Sequence, residues 1–185
     1  MEIVFVRHGE PTYEYVGERG FVGHGRALSQ LTQEGRRQAL EAAQNPLLKD
    51  VELLVASPYP RALETAAILS RRLDLDIEVE LDLREWEPDL TQTFSTDEAS
   101  IQAFKLCEDN RGVCPPGSEL QYEELETVFN RAKKCLLKYL PYRKIAVVSH
   151  GVLIRQFSQG KTPYCAMVPV TFTADCTWQG FIGRI

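Results

Sequence analysis

The chain has 185 residues, 44% of them hydrophobic and 25% charged, with a formal net charge of −5. That length fits one domain, 1–185, with a full hydrophobic core. The excess of acids gives no general attraction for nucleic acid or an anionic membrane surface, so any bound anion must be held by a few placed arginines. The N-terminal apolar run is too short for the core of a signal peptide, and no stretch approaches the roughly 20 apolar residues of a membrane span. A cytoplasmic protein without a membrane partner is expected. The five cysteines, Cys107, Cys114, Cys135, Cys165 and Cys176, are odd in number and show no two-residue spacing. They read as reduced structural thiols, with neither a disulfide framework nor a zinc site.

The first predicted element is a strand, Ile3-Val4-Phe5-Val6, apolar throughout and so buried on both faces of a parallel sheet. It stops at Arg7-His8-Gly9. Residues 11–30 are rich in glycine and read as an irregular loop, with His24 exposed in it between two glycines. Thr32 is a candidate N-cap for a helix that ends before Pro46. Glu52–Ala56 is a second strand, followed by the turn Ser57-Pro58-Tyr59-Pro60-Arg61 and a helix to Leu73. Arg61 sits at the positive end of that helix, against the preference of the dipole for acids, which suggests an anion between them. Asp76–Leu81 alternates in polarity as an edge strand does.

From Arg84 to Ser118 seven acids face three bases and periodicity is weak, apart from a short helix near 97–106. This segment, about 84–118, reads as a lid or insertion. A long amphipathic helix is expected from Ser118 to about Leu140, with Leu125, Val128, Phe129, Ala132 and Leu136 as its core face. Lys144–Ser149 is the third buried strand, ending in His150-Gly151. A short helix over 152–158 and two final strands, Met167–Thr173 and Thr177–Ile182, complete the chain.

Three apolar strands therefore end in polar turns. If they run parallel, one edge of the sheet collects Arg7, His8, Arg61, His150 and the glycine amides, including Gly151. Imidazole supplies a nucleophilic or basic nitrogen and guanidinium a forked anion clamp. The set is an anion pocket containing a nucleophile.

Five motifs, Arg7-His8-Gly9-Glu10, Leu31-Thr32-x-x-Gly35, Ser57-Pro58-x-x-Arg61-Ala62-x-x-Thr65-Ala66, Leu83-x-Glu85 and Ser149-His150-Gly151, occur in this order. Together they resemble the signature of the histidine phosphatase superfamily, the phosphoglycerate mutase-like proteins. The resemblance implies an α/β fold, a three-layer α/β/α sandwich around a mostly parallel sheet. It implies His8 as a nucleophile that is phosphorylated and then hydrolysed, with Arg7, Arg61 and His150 completing the phosphate pocket. His8 must attack as neutral imidazole, and His150 is expected to work as a cation, so their environments should push the two pKa values apart. Glu85 matches the general acid, with Glu87 as its rival. Neither a metal nor another cofactor is implied, because the arginines neutralise charge. Two departures touch the pocket's surroundings. Glu14 stands near where many members carry asparagine, and Gly117-Ser118-Glu119 where many carry Gly-Glu-Ser. A carboxylate at 14 would repel a phosphate unless it points away.

The function implied is a metal-independent phosphomonoesterase of the histidine acid phosphatase type, acting on a small phosphorylated metabolite such as a nucleoside or sugar phosphate, or on a phosphoprotein. A phosphoglycerate mutase is the alternative, disfavoured because the insertion is short and net acidic. A non-catalytic phospholigand-binding module is the second alternative, and the presence of both His8 and Glu85 speaks against it. Rival chemistries lack their motifs: no cysteine is followed six positions later by arginine, and Asp74-Leu75-Asp76 follows a helix, not a buried strand.

Overall fold

The computed structural model describes residues 1–94, 96–158 and 160–181. Strand β1 (Glu2–Arg7) has four consecutive buried residues, and with a strand's two-residue period its side chains divide between two faces. The glycine-rich stretch is more ordered than expected. It contains a two-residue strand β2 (Pro11–Thr12), a one-turn helix α1 (Glu14–Gly17), a 3-10 segment over Gly23–Leu28 and a strand β3 (Gln30–Leu31) antiparallel to β2. Helix α2 (Gln33–Ala42) starts where Thr32 accepts a hydrogen bond from the Gly35 amide at 2.8 Å. Strand β4 (Leu53–Ala56), helix α3 (Pro60–Leu73) and strand β5 (Ile77–Val79) follow. Helices α4 (Asp97–Asp109) and α5 (Leu125–Leu136), strand β6 (Lys144–Ser149), helix α6 (Gly151–Arg155) and strand β7 (Met167–Thr171) complete the order.

The main sheet has the order β5-β4-β6-β1-β7, parallel except for β7, which runs antiparallel to β1. Ile3, Phe5, Leu53, Val55, Ile145 and Val147 face a core shared with α4, α5 and α6. Val4, Val6, Leu54, Ala56, Ala146 and Val148 face a second core made with α3 and the end of α2. Helices on both faces of a mostly parallel sheet make the expected three-layer α/β sandwich.

Register brings the polar turns together. Arg7 lies opposite Ser149, Ala56 opposite Val148, and the amides of His8 and Ser57 continue the ladder onto the carbonyls of Ser149 and Val148. The carboxyl ends of β1, β4 and β6 thus open on one edge.

Two expected elements differ. The helix begins at Leu125, not Ser118, because residues 121–123 are drawn into extended pairing: Leu90 donates to the Gln121 carbonyl and Glu123 to the Glu87 carbonyl. Residues 177–181 form no strand. They lie over the α5–α6 core through Trp178 and Phe181, with the Trp178 indole donating to Gln156, and Ile182 lies outside the described residues. Among the described residues, no helix is long and apolar enough to cross a membrane.

Candidate active site

His8 lies just past the end of β1, only 4% exposed. The Arg61 Nε–H donates to its Nε2 at 3.2 Å. Since Nε–H can only donate, Nε2 must be an acceptor, so the ring proton sits on Nδ1, which donates to the Gly9 carbonyl at 2.7 Å. The ring is therefore neutral and presents a lone pair to Arg61. The turn carrying it is tied down by Thr65, whose hydroxyl accepts from the Gly9 amide and donates to the Arg61 carbonyl. A Cβ on Gly9 would overlap the Gly35 carbonyl, and one on Gly35 would overlap the Glu10 carbonyl. The two glycines let this turn and the start of α2 touch through bare backbone.

Arg61 enters from the first turn of α3 and is fixed from behind by the Ser29 hydroxyl at 2.9 Å and the Ala27 carbonyl at 3.3 Å. Arg7 reaches in from β1. One of its terminal nitrogens donates to the Thr162 carbonyl at 2.6 Å, and its guanidinium lies 4.3 Å from the Tyr164 ring centroid. His150 is fully buried at the end of β6, its ring 5.1 Å from that of His8, and its Nε2 shares a 2.7 Å hydrogen bond with the Ser57 hydroxyl. The structure thus brings Arg7, His8, Arg61 and His150 together, with Gly151 beneath Arg7.

Electrostatics here depart from expectation in one respect. Burial, and then Arg61, push the His8 pKa down to about 3, against the opposing hydrogen bond that the ring donates to the Gly9 carbonyl. His150 was expected as the cation. Instead burial, with Arg61, His8, Arg131 and Arg7 around it, holds its pKa well below the ordinary value. Burial first, and then the guanidinium groups around them, disfavour a proton on either imidazole.

Glu85 stands beside this cradle, its carboxylate accepting from the amides of Trp86, Val152 and Leu153. Glu87 is committed elsewhere, in an ion pair with Arg84. Two residues that both fall within the helix expected from Ser118 turn out to hold the Glu85 loop. Arg131 of α5 donates to the backbone carbonyls of Asp82, Arg84 and Glu85 at 2.6, 2.9 and 3.1 Å. The same guanidinium is gripped by both oxygens of buried Glu123 at 2.7 and 3.0 Å, and Glu123 also accepts from the Glu87 amide. A Glu–x7–Arg spacing across a helix start is the only signal that could have raised them. From the other side, the Ser149 hydroxyl donates to the Leu83 carbonyl at 2.8 Å.

Two cavities flank Glu85 and share Glu85, Phe104 and Val152 as a wall. The first, about 390 Å³, is lined by Tyr13, Tyr59, Trp86, Phe104 and Ile101, with Arg26 paired to Asp97 at its mouth. His24 belongs to this lining, 3.8 Å from Asp89, and is not the exposed loop residue expected. The second, about 370 Å³, is lined by Arg7, Gly151, Arg155, Lys161 and Thr162. Glu14 is exposed on α1 and borders neither, so it brings no charge to the phosphate cradle. Buried polar atoms without a hydrogen-bond partner among the described residues include Arg7 Nε, His150 Nδ1, His24 Nε2 and Ser100 Oγ. Each belongs to the cradle or to a flanking cavity. Leaving such an atom unpaired costs about 1–3 kcal/mol, a cost that a water or ligand reaching it offsets.

Comparison with known proteins agrees with this geometry. The histidine phosphatase superfamily (branch 1) matches residues 3–161. A probable phosphoglycerate mutase, GpmB of Cronobacter sakazakii, is 26% identical over 159 residues, covering 83% of this chain and 71% of that protein. Among solved structures, the mycobacterial glucosyl-3-phosphoglycerate phosphatase in complex with VO3 has a TM-score of 0.68 at 22% identity, covering 97% of this chain and 96% of its own. Bacillus stearothermophilus YhfR has a TM-score of 0.66 at 20% identity, covering 98% and 95%. With the family match spanning most of its length, from the first strand past the last helix of the site, the chain belongs to the histidine phosphatase superfamily, branch 1.

Proposed function

We propose that this protein is a phosphomonoesterase that works through a phosphohistidine on His8 Nε2 and needs no metal. One observation carries the proposal: the His8 tautomer is fixed by Gly9, which leaves the Nε2 lone pair facing the Arg61 guanidinium in a pocket that Arg7 also enters. In the first step Nε2 attacks phosphorus, the bond to the ester oxygen breaks, and Glu85 delivers a proton to that oxygen. In the second, water attacks the phosphohistidine, Glu85 takes its proton, and phosphate leaves with the Nε2 lone pair restored. Arg7 and Arg61 hold the phosphoryl oxygens and neutralise their charge, the part a metal ion plays in other phosphoryl-transfer sites. The phosphoryl dianion is also the counter-charge that lets His150 take up a proton and join them. Glu85 is favoured over Glu87 as the acid because Glu87 is tied to Arg84.

The flanking cavities, of a few hundred Å³ each, suit a small phosphorylated metabolite better than a folded phosphoprotein. We place the enzyme in the cytoplasm, on the ground that its five cysteines are all free thiols. The name of the Cronobacter relative favours one other reading, a phosphoglycerate mutase. Hydrolysis of p-nitrophenyl phosphate with EDTA present, wild type beside His8→Ala, separates the two. Turnover by the wild type alone is expected. A wild type that leaves this ester intact yet interconverts phosphoglycerates would be a mutase, and an active His8→Ala would remove His8 as nucleophile.

A further inference from the structure

Arg7 and Arg61 are held in the cradle by different means. Arg61 has two oxygens behind it, the Ser29 hydroxyl and the Ala27 carbonyl, and a third contact to His8. Arg7 has a single oxygen, the Thr162 carbonyl at 2.6 Å, and no carboxylate among the described residues forms an ion pair with it. One hydrogen bond leaves a planar guanidinium free to turn about it. Gly151 adds only bare backbone against the group. The remaining constraint is the Tyr164 ring, whose centroid lies 4.3 Å from the guanidinium carbon. An aromatic face fixes a cation without cancelling its charge, as a carboxylate would. The buried Arg7 Nε, without a partner among the described residues, is thereby left for a phosphoryl oxygen.

The ring is delivered by a strap, residues 162–166, that lies along the Arg7–His8 turn. The Arg7 amide donates to the Ala166 carbonyl at 3.1 Å, and the Cys165 amide is shared between the carbonyls of Arg7 at 3.1 Å and His8 at 3.3 Å. The strap is itself a four-residue turn, closed by the Ala166 amide on the Pro163 carbonyl, with Cys165 at φ 57°. That left-handed conformation favours glycine, yet a residue with a side chain is held in it. The turn brings Tyr164 within 5.7 Å of the His8 ring, centroid to centroid, as well as against Arg7. Tyr164 is nevertheless 38% exposed, and its hydroxyl has no hydrogen-bond partner among the described residues. Burial in a core does not account for this placement; contact with the two cradle side chains does.

We infer that Tyr164 is a positioning residue for phosphoryl transfer, the face of its ring holding the Arg7 guanidinium, with its charge uncompensated, where it grips the phosphoryl group. This rests on the reading of the cradle as a phosphoryl site, and the test keeps binding apart from hydrolysis. Affinity for inorganic phosphate would be measured by titration calorimetry for wild type, Tyr164→Phe and Tyr164→Leu, at a temperature where all three are folded. Phenylalanine keeps the aromatic face and loses the hydroxyl; leucine keeps apolar bulk and loses the face. The partial exposure of Tyr164 lets both variants fold. Tyr164→Phe should bind phosphate within about two-fold of wild type and Tyr164→Leu about ten-fold more weakly, the effect of one desolvated cation–π contact. A merely structural role would lower the unfolding midpoint of Tyr164→Leu but leave the phosphate affinity of the folded protein unchanged, and that result would overturn the inference. Equal weakening in both variants would overturn it too, by assigning the role to the hydroxyl. Turnover of p-nitrophenyl phosphate, followed in parallel, reports on the phosphatase reading. Turnover with equal phosphate affinities in all three proteins would sink only the role of Tyr164. The expected order of affinities without turnover by the wild type would sink only the hydrolytic reading.

Discussion

His8 is the residue on which protonation, folding and chemistry meet. Its pKa falls from 6.5 to about 3 on folding, so between those values the unfolded chain binds a proton that the native chain refuses. Stability must then fall as pH drops from about 6.5 towards 3, by roughly 1.4 kcal/mol per pH unit for each histidine so held. His150 shifts in the same direction and adds to the slope. Thermal melts between pH 7 and 4 should show a shallower acid loss for His8→Gln than for wild type. Identical slopes would mean that His8 is not held neutral in the native state. Glu85 is open to a different test. Glu85→Gln should slow alkyl phosphates by about 10²–10³-fold and nitrophenyl phosphate far less, because only a poor leaving group needs the proton. Equal losses on both would move the acid elsewhere, with Glu87 next to be substituted.

Among the elements, the start of α5 shows where sequence reading succeeds and fails. The ends of β1, β4 and β6 could be read because four apolar residues in a row leave few alternatives to a buried strand, and a buried strand must stop at its polar residues. The motif glycine at 35 and threonine at 65 were readable as pattern only; their cause is the backbone contact with Gly9 and Glu10 and the hydrogen bond to the Gly9 amide. Ser118 after Gly117 has the chemistry of a helix start, yet residues 121–123 pair with the Glu85 loop instead, a tertiary effect no local propensity encodes. The same pairing places Glu123 and Arg131 face to face, and both were invisible as functional residues for that reason. Removing one partner of a buried ion pair strands the other, so Arg131→Met should cost about 3–5 kcal/mol, and the double variant with Glu123→Leu should cost less than Arg131→Met alone. Denaturant unfolding of the three proteins decides this. A double variant less stable than Arg131→Met would show that the three carbonyl contacts, not the stranded carboxylate, dominate.

For the whole molecule, the position of β1 matters most. It lies between β6 and β7, so the strand made first is paired on both sides by strands from the last quarter of the chain. The N-terminal ammonium even donates to the Phe172 carbonyl at 3.2 Å. A chain ending after Gly160 would leave β1 as an edge and uncover Ile3 and Phe5, and it should lose cooperative unfolding and phosphate binding together. A sharp unfolding transition in that truncated chain would show that β7 is dispensable. The order of synthesis follows from the same topology. His8 leaves the ribosome before Arg61, and Arg61 before His150. Until β6 slots in beside β1 and joins it to β4, His8 has neither its contact with Arg61 nor the dry surroundings that keep it unprotonated. A chain made only as far as β5 therefore lacks the assembled pocket, which forms in one step when β6 joins the sheet.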